Sequence, residues 1–151
     1  MTPGEAPVRN IRHFGIVVRD MERSLAFYRD LLGMEIRNRK EERGPYLDTL
    51  LGVKNGEILT VKLSSGGGSS LLELIEFSSP KDTDPRSLAV NSVGPTHIAL
   101  SVGDLGALMA ALKKKGTRFL SEPIASPDGK VRLVFCRDPD GNLVELVEEL
   151  G

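Results

Sequence analysis

Cysteine is nearly absent from the 151 residues. The one present, Cys136, can form no internal disulfide and supply no thiolate cluster, in keeping with a reducing compartment. Its expected role is core filler. Long apolar runs are missing too, since the longest, Ala107 to Leu112, falls far short of the ~18 residues of a membrane span. The opening MTPGEAPVRN has no apolar stretch behind a basic flank and reads as a lead-in, not a secretory signal. A cytoplasmic protein with no membrane partner is expected. Nor is there a charge excess: 20 basic against 21 acidic residues leave −1, without the positive field that nucleic-acid binding draws on. Histidine is scarce as well, so imidazole chemistry rests on His13, His97 or both.

What is present is an ordinary globular composition, 40% hydrophobic and 27% charged, at a length suited to one domain. The chain repeats itself. His13-Phe14-Gly15-Ile16-Val17-Val18-Arg19-Asp20-Met21 is echoed by His97-Ile98-Ala99-Leu100-Ser101-Val102-Gly103-Asp104-Leu105, each a strand leading into a helix. The first helix carries Met21, Leu25, Tyr28, Leu31 and Leu32 at helical spacing and stops at Gly33. The second carries Leu105, Leu108, Met109 and Leu112, ends in Lys113-Lys114-Lys115 and is followed by Gly116. Asp20 and Asp104 stand where caps belong. Both copies close alike, Leu72-Glu73-Leu74-Ile75-Glu76 matching Val144-Glu145-Leu146-Val147-Glu148.

Between these landmarks, strands are expected near 35–41 and 57–63 in the first copy, and near 117–122 and 130–137 in the second. Each half then reads β-α-β-β-β. Ser64–Ser70, with its glycine run, is a hairpin loop, and 78–94 is the linker. The domain expected is a single one over 1–151, made of modules at about 8–77 and 95–149.

Strand alternation sets Phe14, Ile16 and Val18, the bulkier face, against the helix, and turns His13, Gly15 and Val17 away from it. His97, Ala99 and Ser101 are turned away likewise. Two histidines at equivalent repeat positions among small neighbours point to a cavity. Glu73 and Glu145 share their faces with apolar residues, where a carboxylate is costly unless it is paired or holds a cation. If a pseudo-twofold axis relates the repeats, two imidazoles and two carboxylates converge, a donor set suited to a divalent ion with places left for water or substrate.

The string His13-x-x-Ile16-x-Val18-x-Asp20-x-x-x-Ser24-x-x-Phe27-Tyr28-x-x-x-Leu32-Gly33-Met34, with Asp138-Pro139-Asp140-Gly141-Asn142-Leu143-Val144-Glu145, resembles the vicinal oxygen chelate superfamily of glyoxalases, bleomycin-resistance proteins and extradiol dioxygenases. The resemblance covers about residues 8–149. It implies an α+β fold in which two tandem βαβββ modules form a cup-shaped mixed sheet, a homodimer, and His13, Glu73, His97 and Glu145 as ligands of one divalent ion, Ni, Co, Mn or Zn. Four ligands look most like the isomerase and lyase branch. There a small oxygenated substrate loses a proton alpha to a carbonyl, through a metal-stabilised enediolate or enolate, to a carboxylate base. The candidate bases are Glu145, Glu73 and, from a likeness to methylmalonyl-CoA epimerase, Glu57. A ring-cleaving dioxygenase using Fe and a non-catalytic antibiotic-binding protein are the alternatives. Glyoxalase I carries an arginine four residues after the first histidine and an asparagine four after the first glutamate. Val17 and Phe77 stand there here, so glutathione is not the expected handle. By the same resemblance Leu133 and Phe135 line an apolar wall. Lys113–Lys115 could meet phosphates, and Arg37, Arg39, Lys40 and Arg43 a carboxylate, although a solvated surface is the simpler reading of both.

Overall fold

A computed structural model describes residues 10–82, 91 and 97–151. The chain divides into two compact units, the residues up to Met21 with Gly33–Lys81, and Glu22–Leu32 with Asp82–Gly151. The first unit is a four-stranded mixed sheet of order β1-β4-β3-β2, built from β1 (His13–Val18), β2 (Glu35–Arg43), β3 (Glu57–Ser64) and β4 (Leu71–Ser79). β1 runs parallel to β4, and the rest pair antiparallel. The second sheet repeats this plan as β5-β8-β7-β6, from β5 (His97–Ser101), β6 (Ile124–Ala125), β7 (Val131–Arg137) and β8 (Leu143–Glu149).

After β1 the chain forms α1 (Met21–Leu25), which relaxes into a π-helical turn over Ala26–Leu31. The amide of Met21 donates to Glu76 Oε2 on β4 at 2.6 Å, so a strand carboxylate satisfies a helix N-terminus. In the second unit α3 (Leu105–Lys114) begins at Asp104, whose side chain accepts from the Ala107 amide at 2.8 Å. That is the cap expected from the sequence. Gly116, at φ +83°, then turns the chain through a conformation side chains resist.

Three expectations differ from the structure. A helix, α2 (Pro45–Leu51), stands between β2 and β3; Pro45 opens it, Gly52 closes it at φ +67°, and Leu47 anchors it in the core. In the second unit the strand expected at 117–122 is reduced to one bridge, Phe119 to Cys136, and the edge strand is the two-residue β6. Pro123 explains this, because without an N–H it cannot continue a ladder. Of the face expected under the first helix, Val18 is buried whereas Phe14 is 51% exposed. The helix belongs to the second unit from Glu22 onward, so within the first unit only its start at Met21 accompanies β1.

Alternation decides both cores. Val61 and Leu63 of β3 and Leu72 and Leu74 of β4 are buried in the first; Val134 and Cys136 of β7, Val144 and Leu146 of β8, and Leu105, Met109 and Leu112 of α3 in the second. Each such large apolar side chain contributes about 1.5–3 kcal/mol by leaving water. Opposite faces of the same strands carry Glu73 and Glu145 beside further apolar residues, of which Ile58 and Leu143 are also buried. Among the described residues no helix is long and apolar enough to cross a membrane.

Candidate metal centre

In the parallel pair β1/β4 the register partners are His13 with Leu71 and Gly15 with Glu73. In β5/β8 they are His97 with Leu143 and Ala99 with Glu145. Each glutamate thus lies two residues beyond its histidine's partner, on the same face, facing a glycine or an alanine. The smallness of that facing residue leaves space in which imidazole and carboxylate meet. His13 Nε2 stands 3.2 Å from Glu73 Oε2, and His97 Nε2 stands 3.2 Å from Glu145 Oε2. The carboxylates are 15% and 19% exposed and the histidines 39% and 37%, so each donor pair is half sheltered and open on one side.

The separation is informative about a cation. Two donors at the ~2.1 Å usual for nitrogen or oxygen on a divalent ion, set at a right angle, are about 3 Å apart. Each pair, taken by itself, therefore has the spacing of adjacent corners in a coordination shell. Each stands within its own unit, and no group of three or more His, Cys, Asp or Glu suited to a metal occurs among the described residues.

One neighbour was not anticipated. Lys62 lies directly across β3/β4 from Glu73, with Nζ 3.4 Å from Glu73 Oε1. The oxygen turned from His13 is thus the one that faces an ammonium. The equivalent neighbour of Glu145 is Phe135, whose ring meets His97 edge to face at 5.1 Å, and Leu133 lies on the same face. The shared strand face of Phe135 and Leu133 is as expected from the sequence, and Phe135 adds a contact to the histidine of that unit.

Glu57 stands apart from these groups. It lies at the exposed start of β3, beyond a bulge between Glu57 and Ile58, and Ser78 Oγ donates to its carboxylate at 3.4 Å. It lines a cleft of about 490 Å³ shared with Glu41, Glu42 and Glu76. The basic residues of β2 are engaged locally: Arg37 donates to Ser64 at 2.6 Å and pairs with Glu35 at 3.0 Å, while Lys40 pairs with Glu42 at 2.7 Å. At the end of α3, Lys113 pairs with Glu122 at 3.0 Å. A larger cleft of about 770 Å³ in the second unit, lined by Arg23, Phe27, Lys115, Arg118 and Asp138 among others, includes none of the four donors.

The turn that feeds β8 is held from inside. Buried Asp138 accepts from the amides of Asp140 (2.9 Å) and Asn142 (2.8 Å), from Asn142 Nδ2 (2.9 Å) and from the Tyr28 hydroxyl (2.8 Å). Burial, then the Asp138 charge, drives the Tyr28 phenol far above its usual range. Burial first and Asp138 second push the Cys136 thiol up to about 12, which makes it inert filler.

Comparisons with known proteins agree with this architecture. The family model described as the Glyoxalase/Bleomycin resistance protein/Dioxygenase superfamily matches residues 10–146. An uncharacterized Bacillus subtilis protein, YwkD, is 33% identical over 94% of this chain and 98% of its own. A probable lactoylglutathione lyase of Synechocystis is 32% identical over 90% and 92%. Among solved structures, a glyoxalase family protein of Bacillus cereus superposes with a TM-score of 0.86 at 24% identity, covering 100% of this chain and 99% of that one. The trypanothione-dependent glyoxalase I of Leishmania major gives 0.67 at 27% identity, covering 94% and 88%. With the duplicated sheets, the repeated histidine–glutamate pairs and a match over nearly its whole length, the chain belongs to the glyoxalase/bleomycin resistance protein/dioxygenase superfamily.

Proposed function

We propose that the protein is a metal-dependent lyase or isomerase of the glyoxalase type, moving a proton alpha to a carbonyl of a small oxygenated substrate. The observation that carries this reading is the twice-repeated pair, imidazole nitrogen and carboxylate oxygen 3.2 Å apart at the same register in both sheets. His13, Glu73, His97 and Glu145 would hold one divalent ion. Bound there, such an ion supplies positive charge to the substrate oxygens on which charge develops.

The remaining chemistry falls to the chain. A carbon acid beside a carbonyl loses its proton slowly without a base within reach. The two carboxylates are unequally placed for that work. Glu73 has an ammonium on its outer oxygen, which holds it in place. Glu145 faces Phe135 across the strands, so it is the carboxylate freer to swing toward carbon, take the proton and return it. Phe135 and Leu133 keep water from that side. Relatives named lactoylglutathione lyase support the lyase branch.

The test has two parts. Purified protein is expected to hold about one divalent ion per chain, and His97→Ala or Glu145→Gln to weaken metal binding by at least the ~10–100-fold that even outer ligands contribute. In D₂O at saturating metal, wild type exchanges the proton alpha to the carbonyl of a 2-substituted acyl substrate and Glu145→Gln does not. Stoichiometric metal on the His13→Ala/His97→Ala double variant would refute the ligand set. Undiminished exchange by metal-saturated Glu145→Gln would leave Glu145 a ligand only and move the base to Glu73.

A further inference from the structure

We infer that Lys62 makes this site selective for substrates carrying an additional anionic group, a carboxylate beyond the pair of oxygens offered to the metal. The inference rests on the metal-dependent reading above and deepens it. Direct cross-strand partners share a face, so one row across the first sheet reads Gly15, Glu73, Lys62, Asn38. The row begins beside His13 and passes from a proposed ligand to a cation to an amide.

The Lys62 ammonium is 3.4 Å from Glu73 Oε1, and its side chain is one-third exposed. An ammonium has three N–H donors and no acceptor. One donor faces Glu73, and the rest are available to the open face, where Asn38 adds an exposed amide. A cation held beside Glu73, itself beside His13, lies about one donor shell from any ion those two residues bind. A substrate seated there by two oxygens therefore brings its next substituent within reach of the ammonium. A lysine placed only for solubility would stand on a fully exposed face and would not meet a carboxylate that is 15% exposed.

The second unit supplies the contrast. At the matching position Phe135 faces Glu145, and the row there reads Ala99, Glu145, Phe135. The repeats preserve histidine, small residue and glutamate, yet differ in kind at this neighbour. The first unit carries a cation beside its glutamate and the second an aromatic ring, so the charged neighbour is particular to the first pair.

Lactate and malate test this, since both offer a hydroxyl and a carboxylate to a metal and malate alone adds a second carboxylate. Binding to Zn-loaded protein is measured by calorimetry, with bound metal quantified in every sample. Wild type should prefer malate by about 10-fold or more, the scale of one hydrogen bond between charged groups. Lys62→Met, compared at equal bound metal, should reduce that preference to less than ~3-fold, and Lys62→Arg should keep most of it. A preference that survives in Lys62→Met, or no preference in metal-loaded wild type, overturns the inference while leaving the metal reading intact. Loss of metal by Lys62→Met would make Lys62 a holder of Glu73 alone and overturns it too. Failure of wild type to bind metal would instead refute the proposed function.

Discussion

Replacing Tyr28 by phenylalanine removes one oxygen from the network that holds the turn before β8. In the native protein the buried Tyr28 hydroxyl donates to Asp138 Oδ2 at 2.8 Å, while three further donors, two amides and Asn142 Nδ2, serve the same carboxylate. A hydrogen bond to a charged group is worth about 1.5–3 kcal/mol. The three remaining donors keep Asp138 satisfied, so the loss belongs near the lower end, about 2 kcal/mol. For a chain of this length that is a fall in Tm of roughly 4–8 °C. Urea denaturation followed by circular dichroism measures it directly. The double variant Tyr28→Phe/Asp138→Asn, in a cycle with the two single changes, isolates the coupling between the partners. A Tyr28→Phe protein within ~0.5 kcal/mol of wild type, the usual range for inconsequential surface changes, would show that the buried bond does not stabilise the turn.

Cys136 gives a pH prediction with a definite sign. Its thiol is held up to about 12 against an ordinary 9.0, so the unfolded chain releases that proton first; its contribution is whole below pH 9 and is lost as pH rises toward 12. At pH 10 about 1 kcal/mol is gone. Cys136→Ala should flatten the fall in stability between pH 8 and 10 by that amount, and equal slopes in the two proteins would refute the assignment. The glutathione hemithioacetal of methylglyoxal should be a poor substrate, because Val17, 59% exposed, and Phe77 offer no polar clamp on the faces that carry His13 and Glu73. Missing polar contacts of this kind cost on the order of 10⁴-fold in discrimination. Turnover at a kcat/KM of ~10⁴ M⁻¹s⁻¹ or above, the ordinary enzymatic range, would overturn that expectation.

Much of the frame was legible because duplication wrote it twice. The strand at His13, its echo at His97 and the paired closings at Glu73 and Glu145 each support the other reading, and alternation then assigns the four side chains to common faces. The Asp104 cap and the Gly116 stop are local chemistry and were equally plain. What escaped has more than one cause. Leu47, Leu50 and Leu51 stand at helical spacing behind Pro45, a local signal for α2 masked by the charged run before it, and of the three leucines Leu47 alone is buried. The segment 117–122 alternates well enough for a strand but ends against Pro123. Lys62 escaped by a single residue: with Ser64–Ser70 taken as the hairpin loop, counting back sets Lys62 against Leu72, whereas the observed register sets it against Glu73 and so on the other face. Glu57 drew attention as a carboxylate on the neighbouring strand, and a bulge between Glu57 and Ile58 breaks the alternation that would assign its face from sequence.

The two halves also separate what the fold requires from what the chemistry selects. At the position facing the glutamate one copy has Gly15 and the other Ala99, and a Cβ built on Gly15 would meet only Ile75 Cδ1 at 3.7 Å, an ordinary contact. Glycine's backbone freedom is therefore not what the site needs there. What the two positions share is a small residue directly opposite the glutamate. The histidine and glutamate are fixed by register in both sheets. One strand further on, register is equally strict but identity is not, since Lys62 in one copy and Phe135 in the other occupy the same place. Backbone geometry cannot account for that difference, because both residues sit in well-paired antiparallel strands. On the inference drawn above, the difference would follow from what each face meets, a charge near Glu73 and an apolar surface near Glu145.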